Sequence, residues 1–215
     1  MWVLEPLFSW AYTVPMNLAF AETELPVRIR FERALTDEEF LRFCESNDTA
    51  RVERDANGEI LVMTPAGFGS SKMNVRISRL LDEWSEADGR GVTTGPDGGY
   101  LLPDGSMRMP DAAWTSLSRL DEAGMEDQAG FASVCPDFII ELRSKTDRLP
   151  QLEAKMEMWI TNGAQLAWLI DPERRAVAIY RPGDSPELLH DPTSVQGTGP
   201  VAGFELVLSR IWQSH

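Results

Sequence analysis

The order strand, helix, strand between Asp137 and Ile170 constrains this chain more than any other feature. Phe138-Ile139-Ile140 is too apolar and too rich in β-branched residues to lie anywhere but inside a sheet. A helical run from Pro150 to Asn162 follows and stops at Asn162-Gly163, and Leu166 to Ile170 is a second apolar strand. Two strands joined through a helix are expected side by side and parallel, through a right-handed crossover. The first strand ends in Glu141, with Arg143 and Lys145 behind it, in the stretch CPDFIIELRSK. A carboxylate at the end of a buried strand needs a partner or a purpose.

The rest of the chain supplies the other layers. Thr36 followed three residues later by Glu39 is a capping box for a short amphipathic helix. Residues Arg51 to Pro65 alternate on both sides of Asn57-Gly58, a two-residue hairpin signal that places Glu59 at the start of the second strand. Met73, Ile77, Leu80, Leu81 and Trp84 recur at helical spacing from Ser70 to Ala87, and Gly89 ends the run. Short strands are expected around Val92, from Tyr100 to Leu102 and from Asp111 to Trp114, before an acidic connector at 120–130. The segment QLAWLIDPERRAVAIYRPG reads as a hairpin, and Phe204 to Leu208 as an edge strand with Ile211-Trp212 anchoring the end. The fold class is therefore α/β, or mixed α+β: a mixed β-sheet with hairpins, flanked by helices. Residues 31–215 are expected as one domain, and 1–30 as an N-terminal extension, docked or disordered. The extension has an apolar centre and an Ala-Phe-Ala ending, but Glu5, Pro6 and Pro15 argue against a signal peptide, and Met16 is an alternative start.

Charge and composition exclude several classes of function. The formal net charge of −14 argues against a protein that coats nucleic acid nonspecifically, while leaving room for a local basic cleft. Two cysteines make no disulfide framework, and two histidines leave little for zinc or histidine-based catalysis. A reducing cytoplasmic location is expected, and no stretch is long and apolar enough to span a bilayer.

Two aspartates follow prolines, Asp111 and Asp137. Asp137 and Glu141 are four positions apart on one strand, roughly 13 Å at about 3.3 Å per residue, too far to share one ion. Asp137 is therefore read as the residue that opens the strand. Asp111, if its strand neighbours that of Glu141, comes within reach of the same ion, since paired strands lie about 4.8 Å apart. Oxygen ligands without histidine or cysteine select Mg²⁺ or Mn²⁺. Such an ion suits phosphodiester hydrolysis, with a lysine nearby to position water or stabilise charge. Lys145 and Lys155 both qualify, whereas Arg143 never deprotonates and cannot act as a base.

The order Glu59, Asp111, Glu141 and a later lysine resembles the nuclease superfamily whose signature is written PD-(D/E)XK. More narrowly, NGEILVMTP, the helix bearing Asn74, RMPDAAW, PDFIIELRS, KMEMWITNGAQLAWLIDPERRAVAIYRPG and GFELVLSRIW resemble the Uma-two family of endonucleases, once called a domain of unknown function, over about residues 36–212. The resemblance implies a restriction-endonuclease-like fold with Asp111 and Glu141 as metal ligands and Glu59 completing the site. It also implies that Lys155 is the catalytic lysine, moved onto the helix, with Arg143 in the position it vacated. Where relatives read Ser-Pro-Ser this chain reads Ser144-Lys145-Thr146, which keeps Lys145 as the alternative base. The expected function is Mg²⁺-dependent cleavage of DNA by a homodimer. The alternatives are a non-catalytic nuclease-fold binding or regulatory module, or a phosphodiesterase acting on RNA or small nucleotides. Lys72, Asn74 and Arg143 are candidate contacts to nucleic-acid phosphates. Trp114, Trp159, Trp168 and Trp212 are read as core, Ser144 and Asp147 as residues that open the following helix, and Arg174 and Arg175 as exposed turn charges.

Overall fold

The computed structural model describes residues 27–124 and 130–213. Strand β1 (Val27–Ile29) leads through helix α1 (Asp37–Ser46) to the hairpin of β2 (Arg51–Arg54) and β3 (Ile60–Met63). The long helix α2 (Phe68–Asp88) follows, then β4 (Gly91–Thr94), β5 (Tyr100–Leu101), β6 (Met107–Arg108), β7 (Ala112–Ser116) and the short helix α3 (Leu117–Glu122). Next come β8 (Phe138–Leu142), helix α4 (Leu149–Thr161), β9 (Leu166–Asp171), β10 (Ala176–Tyr180) and β11 (Glu187–His190). The chain closes with β12 (Ser194–Gln196), a 3-10 turn at Gly199–Val201, β13 (Glu205–Val207) and helix α5 (Ser209–Trp212).

Two main sheets form instead of one. The larger has strand order β11-β10-β9-β8-β7-β4, and only its β8 and β9 are parallel, as the intervening helix requires. The smaller is an antiparallel sheet of order β1-β3-β2-β6-β5. Strand β1 lies within residues assigned by sequence to the extension, yet it pairs with β3 through Val27 to Val62. The signal-like stretch and the alternative start at Met16 lie outside the described residues. The expected edge strand at Phe204 to Leu208 instead pairs with β12 as a separate ribbon, because Phe204 and Leu206 turn inward onto the core.

Alternation along β7, β8 and β9 assigns the layers. Ala112, Trp114, Phe138, Ile140 and Trp168 face α2, whose Met73, Ile77 and Leu81 are fully buried against them. Ala113, Ile139, Ala167 and Leu169 face α4 through Met156 and Trp159. A third cluster, built on Phe40, Val52, Ile60 and Met107, lies between α1 and the smaller sheet. The Thr36–Glu39 capping box is formed as expected. The β2–β3 connection is longer than a two-residue turn: Asp55 N–H donates to the Glu59 carbonyl and Gly58 N–H to the Asp55 carbonyl. Gly58 adopts φ +80 there, and a Cβ on it would lie 2.5 Å from that of Ala34.

Hydrogen bonds tie the C-terminal end of helix α2 to the larger sheet. Trp114 Nε1 donates to Ser85 Oγ at 3.0 Å, and Ser85 Oγ donates to the Gly91 carbonyl at 3.0 Å. A Cβ on Gly91 would meet the Trp114 ring at 2.3 Å and the Thr115 carbonyl oxygen at 2.6 Å. Gly91→Ala is therefore expected to destabilise the fold by about 1–3 kcal/mol through overpacking, read as a lower urea midpoint with an unchanged slope.

Candidate active site

Antiparallel register brings two carboxylates together at one end of the larger sheet. Ala112 pairs with Ile140, so Asp111, one residue earlier, stands across from Glu141, one residue later. Paired strands set such residues about 4.5–5.5 Å apart at Cα. Asp111 is held on both sides: Leu142 N–H donates to its Oδ2 at 2.8 Å and Asn74 Nδ2 to its Oδ1 at 2.9 Å. The first donor comes from β8 and the second from α2, so the carboxylate fastens the helix to the sheet. Glu141 follows the inward alternation of Ile139 and is buried under α4, where Trp159 Nε1 donates to its Oε1 at 3.0 Å.

Helix α4 carries Lys155 one turn before Trp159, on the same face. Its ammonium lies 2.8 Å from Glu141 Oε1 and 3.3 Å from Glu53 Oε1. Glu53, central in β2, also accepts from Arg108 Nη1 at 3.0 Å and from Met109 N–H at 3.2 Å. The two glutamates share one lysine but respond in opposite directions. Burial pushes the Glu53 carboxyl up, but Lys155, Arg108 and the Met109 N–H outweigh it and hold it low. Burial pushes the Glu141 carboxyl up to about 7, because Lys155 alone opposes it while Asp111 and Glu53 add like charge. Burial pulls the Lys155 ammonium down, yet Glu141 and Glu53 keep its pKa above the usual lysine value, so it stays protonated at neutral pH.

The structure thus brings together Asp111, Glu141 and Lys155, and it separates Glu59 from them. Glu53 pairs with Leu61 across the hairpin, and Glu59 lies two residues farther along the same face, roughly 6–7 Å away by strand rise. Glu59 there holds Arg28 at 2.8 Å and Arg30 at 3.3 Å, an ion-pair cluster at the edge of the groove, away from Asp111 and Glu141. Glu53 takes the place that sequence reasoning gave to Glu59. The signal was a carboxylate in mid-strand beside Val52, where burial demands a partner, rather than one beside a turn. Lys145 is exposed on the groove wall, while Lys155 touches the carboxylates. Arg143 pairs with Asp171 at 2.7 Å instead of with Glu141. Lys72 lies on the exposed face of α2, and Asn74, read from sequence as a phosphate contact, is buried and committed to Asp111. Asp137 opens β8 as expected, accepting from Ser116 N–H at 2.8 Å, and Asp147 accepts from Ser144 N–H at 2.7 Å just before α4.

A groove of about 850 Å³ opens over these groups, walled by β2, β3, the start of α2, the turn after β8 and α4. Among the described residues, no three Asp, Glu, His or Cys side chains converge as a ready-made metal cage. The opposed pair Asp111 and Glu141 nevertheless fits a small hard cation. Mg²⁺ is held by one or two carboxylates, with its other positions left to water and substrate phosphate.

Comparison with known proteins agrees with this architecture. A crystal structure of "a putative nuclease belonging to DUF820" from Anabaena variabilis ATCC 29413 superposes with a TM-score of 0.63 at 19% identity, covering 76% of this chain and 90% of that one. At that identity the likeness establishes a shared fold. No match was found among curated proteins. The profile of the Uma2 family, described as "Putative restriction endonuclease", matches residues 37–209, and the chain belongs to that family.

Proposed function

We propose that this protein is an endonuclease that hydrolyses DNA phosphodiester bonds with Mg²⁺ or Mn²⁺ held at Asp111 and Glu141. The observation that supports the reading best is the charge of the groove. Arg28, Arg51, Arg108, Arg143, Arg148, Lys145 and Lys155 line it, seven of the chain's 20 Lys and Arg, against four of its 34 Asp and Glu. A strongly acidic molecule that gathers its bases around two opposed carboxylates is suited to a polyanion that brings its phosphate to that point.

When bound, the ion supplies Lewis-acid polarisation of the phosphate and a water of lowered pKa. The chain's own residues do the rest. Leu142 N–H and Asn74 fix Asp111, and Trp159 and Lys155 fix Glu141. Lys155, kept cationic by its two glutamates, orients water or stabilises charge that develops on the phosphate, and it does not act as a general base. Glu53, itself held by Arg108, holds the lysine in turn, and both residues line the groove.

Calorimetry with Mn²⁺ is the direct test. Asp111→Asn and Glu141→Gln, folded by circular dichroism, are each expected to lose Mn²⁺ binding and about a hundredfold or more in cleavage of supercoiled plasmid. Unchanged Mn²⁺ binding in both variants would rule out the shared site.

The Glu141 carboxyl, pushed up to about 7, gives two pH effects of defined sign. Metal binding requires its ionised form, so apparent Mn²⁺ affinity is expected to fall roughly tenfold per pH unit below that value. Without metal, the folded state holds a proton that the unfolded chain, with an ordinary carboxylate pKa of 4.5, has released. Stability is therefore expected to fall as pH rises between those two values, and the trend to vanish in Glu141→Gln, as read from urea midpoints across the window. Lys155→Gln leaves two buried carboxylates without their shared cation. It is expected to cost about 3–5 kcal/mol and to gain more melting temperature from Mn²⁺ than wild type does, as thermal unfolding with and without the ion will show.

A further inference from the structure

Among the described residues, Phe68 and Val75 are the two most exposed large apolar side chains, at 88% and 67%. Both stand on α2, seven residues and about 10 Å apart on one face of the helix. Phe68 is flanked by Gly67 and Gly69, neither of which has a positive φ, and a Cβ on either would meet no atom within 4 Å. Neither backbone strain nor packing within the chain demands these glycines. They leave the ring standing clear, with room for another surface to close around it. An aromatic ring presented in this way has the form of an anchor for a pocket on a partner.

The same face carries such a pocket. A second cleft, also of about 850 Å³, lies beside the groove, between the end of α1, the middle of α2 and the turn Gly95-Pro96-Asp97, and Val75 is part of its wall. Pro65, Ala66, Pro96, Met109 and Phe131 make the lining largely apolar. Asp48 and Asp97 line it as exposed acids, with Arg51 as the one basic residue, so the cleft disfavours a nucleic-acid strand. Lys72, exposed one turn beyond Phe68, is the charge that such acids attract. A knob and a pocket on one surface are complementary to themselves under a two-fold axis, since each copy supplies a ring and receives one. We infer that two copies of this chain pair across their α2 helices, with Phe68 of each seated in the second cleft of the other and Lys72 set against Asp48 and Asp97. The cleft shares Arg51, Pro65, Ala66 and Asn74 with the wall of the groove, and Phe68 stands between two glycines that line the groove. The pairing therefore sets the two grooves side by side. The inference rests on the shape and charge of this surface and is independent of the reaction proposed for the groove.

The test uses the full chain, with its mass read by sedimentation equilibrium across a dilution series. Wild type is expected as a dimer. Phe68→Asp changes an exposed residue in the first turn of a helix, where an acid is favourable, so the variant is expected to keep its circular dichroism spectrum. Its dimer dissociation constant is expected to rise roughly a hundredfold or more, because each dimer loses two aromatic anchors. Lys72→Glu and Asp97→Lys are each expected to weaken the dimer several-fold, by setting like charges face to face at both symmetric contacts. Mixing those two variants puts opposite charges back at both contacts, and the mixed dimer is expected to recover toward wild-type strength. A wild type that stays monomeric at every concentration overturns the inference; if Phe68→Asp then weakens binding of duplex DNA, the ring serves the nucleic acid instead. A dimer that Phe68→Asp leaves intact also overturns it, since the contact then lies elsewhere. A dimer that needs Phe68 but does not recover on mixing overturns the seating in the cleft, the two rings then packing on each other. Each of these results leaves the carboxylate site to be judged separately, by Mn²⁺ binding.

Discussion

One ammonium group joins the two halves of this fold. Lys155 rises from α4, touches Glu141 in the larger sheet and reaches Glu53 in the smaller one. Burying three charges is costly unless each finds its counterpart, and a single misplaced element would leave one of them alone. The arrangement thus fixes the distance between β2, β8 and α4 more sharply than the surrounding apolar contacts do. It also leaves an imbalance, because Glu53 has Arg108 in addition and Glu141 has not. The raised affinity of Glu141 for a proton is the same property as a raised affinity for any further positive charge, which is what a hard cation supplies.

Much of this was legible in the sequence, for reasons that lie in local patterns. The parallel β8–β9 pair followed from an apolar strand, a helix with an explicit stop at Asn162-Gly163 and a second apolar strand. Asp111 and Glu141 followed from strand arithmetic, since neighbouring strands can bring two carboxylates together and a single strand cannot. Lys155 was one of two candidates, and the contact it makes with Glu141 depends on the packing of α4, whose helical spacing places Lys155 and Trp159 on one face. Glu53 was missed because its meaning depends on hairpin register. Three residues between Asp55 and Glu59, instead of a two-residue turn, set which carboxylate reaches the larger sheet and which stays at the far end. The split into two sheets was likewise beyond local patterns, since β5 and β6 are too short to announce their partners.

Net charge misleads for a protein of this design unless it is mapped. The surplus of acids is spread over exposed surface, while a third of the bases gather at one groove, and the field that a ligand meets is that of the groove. The acidic remainder has its own effect, in that it disfavours attachment of any polyanion elsewhere on the surface.

Asn74 spends the two ends of its amide unequally. Its nitrogen donates to Asp111, and its carbonyl oxygen is buried without a partner among the described residues. An unpaired buried acceptor costs about 1–3 kcal/mol, so the fold accepts that cost where the helix fixes one oxygen of Asp111. With Leu142 N–H holding the other oxygen from the sheet, the orientation of this carboxylate is set by the chain itself.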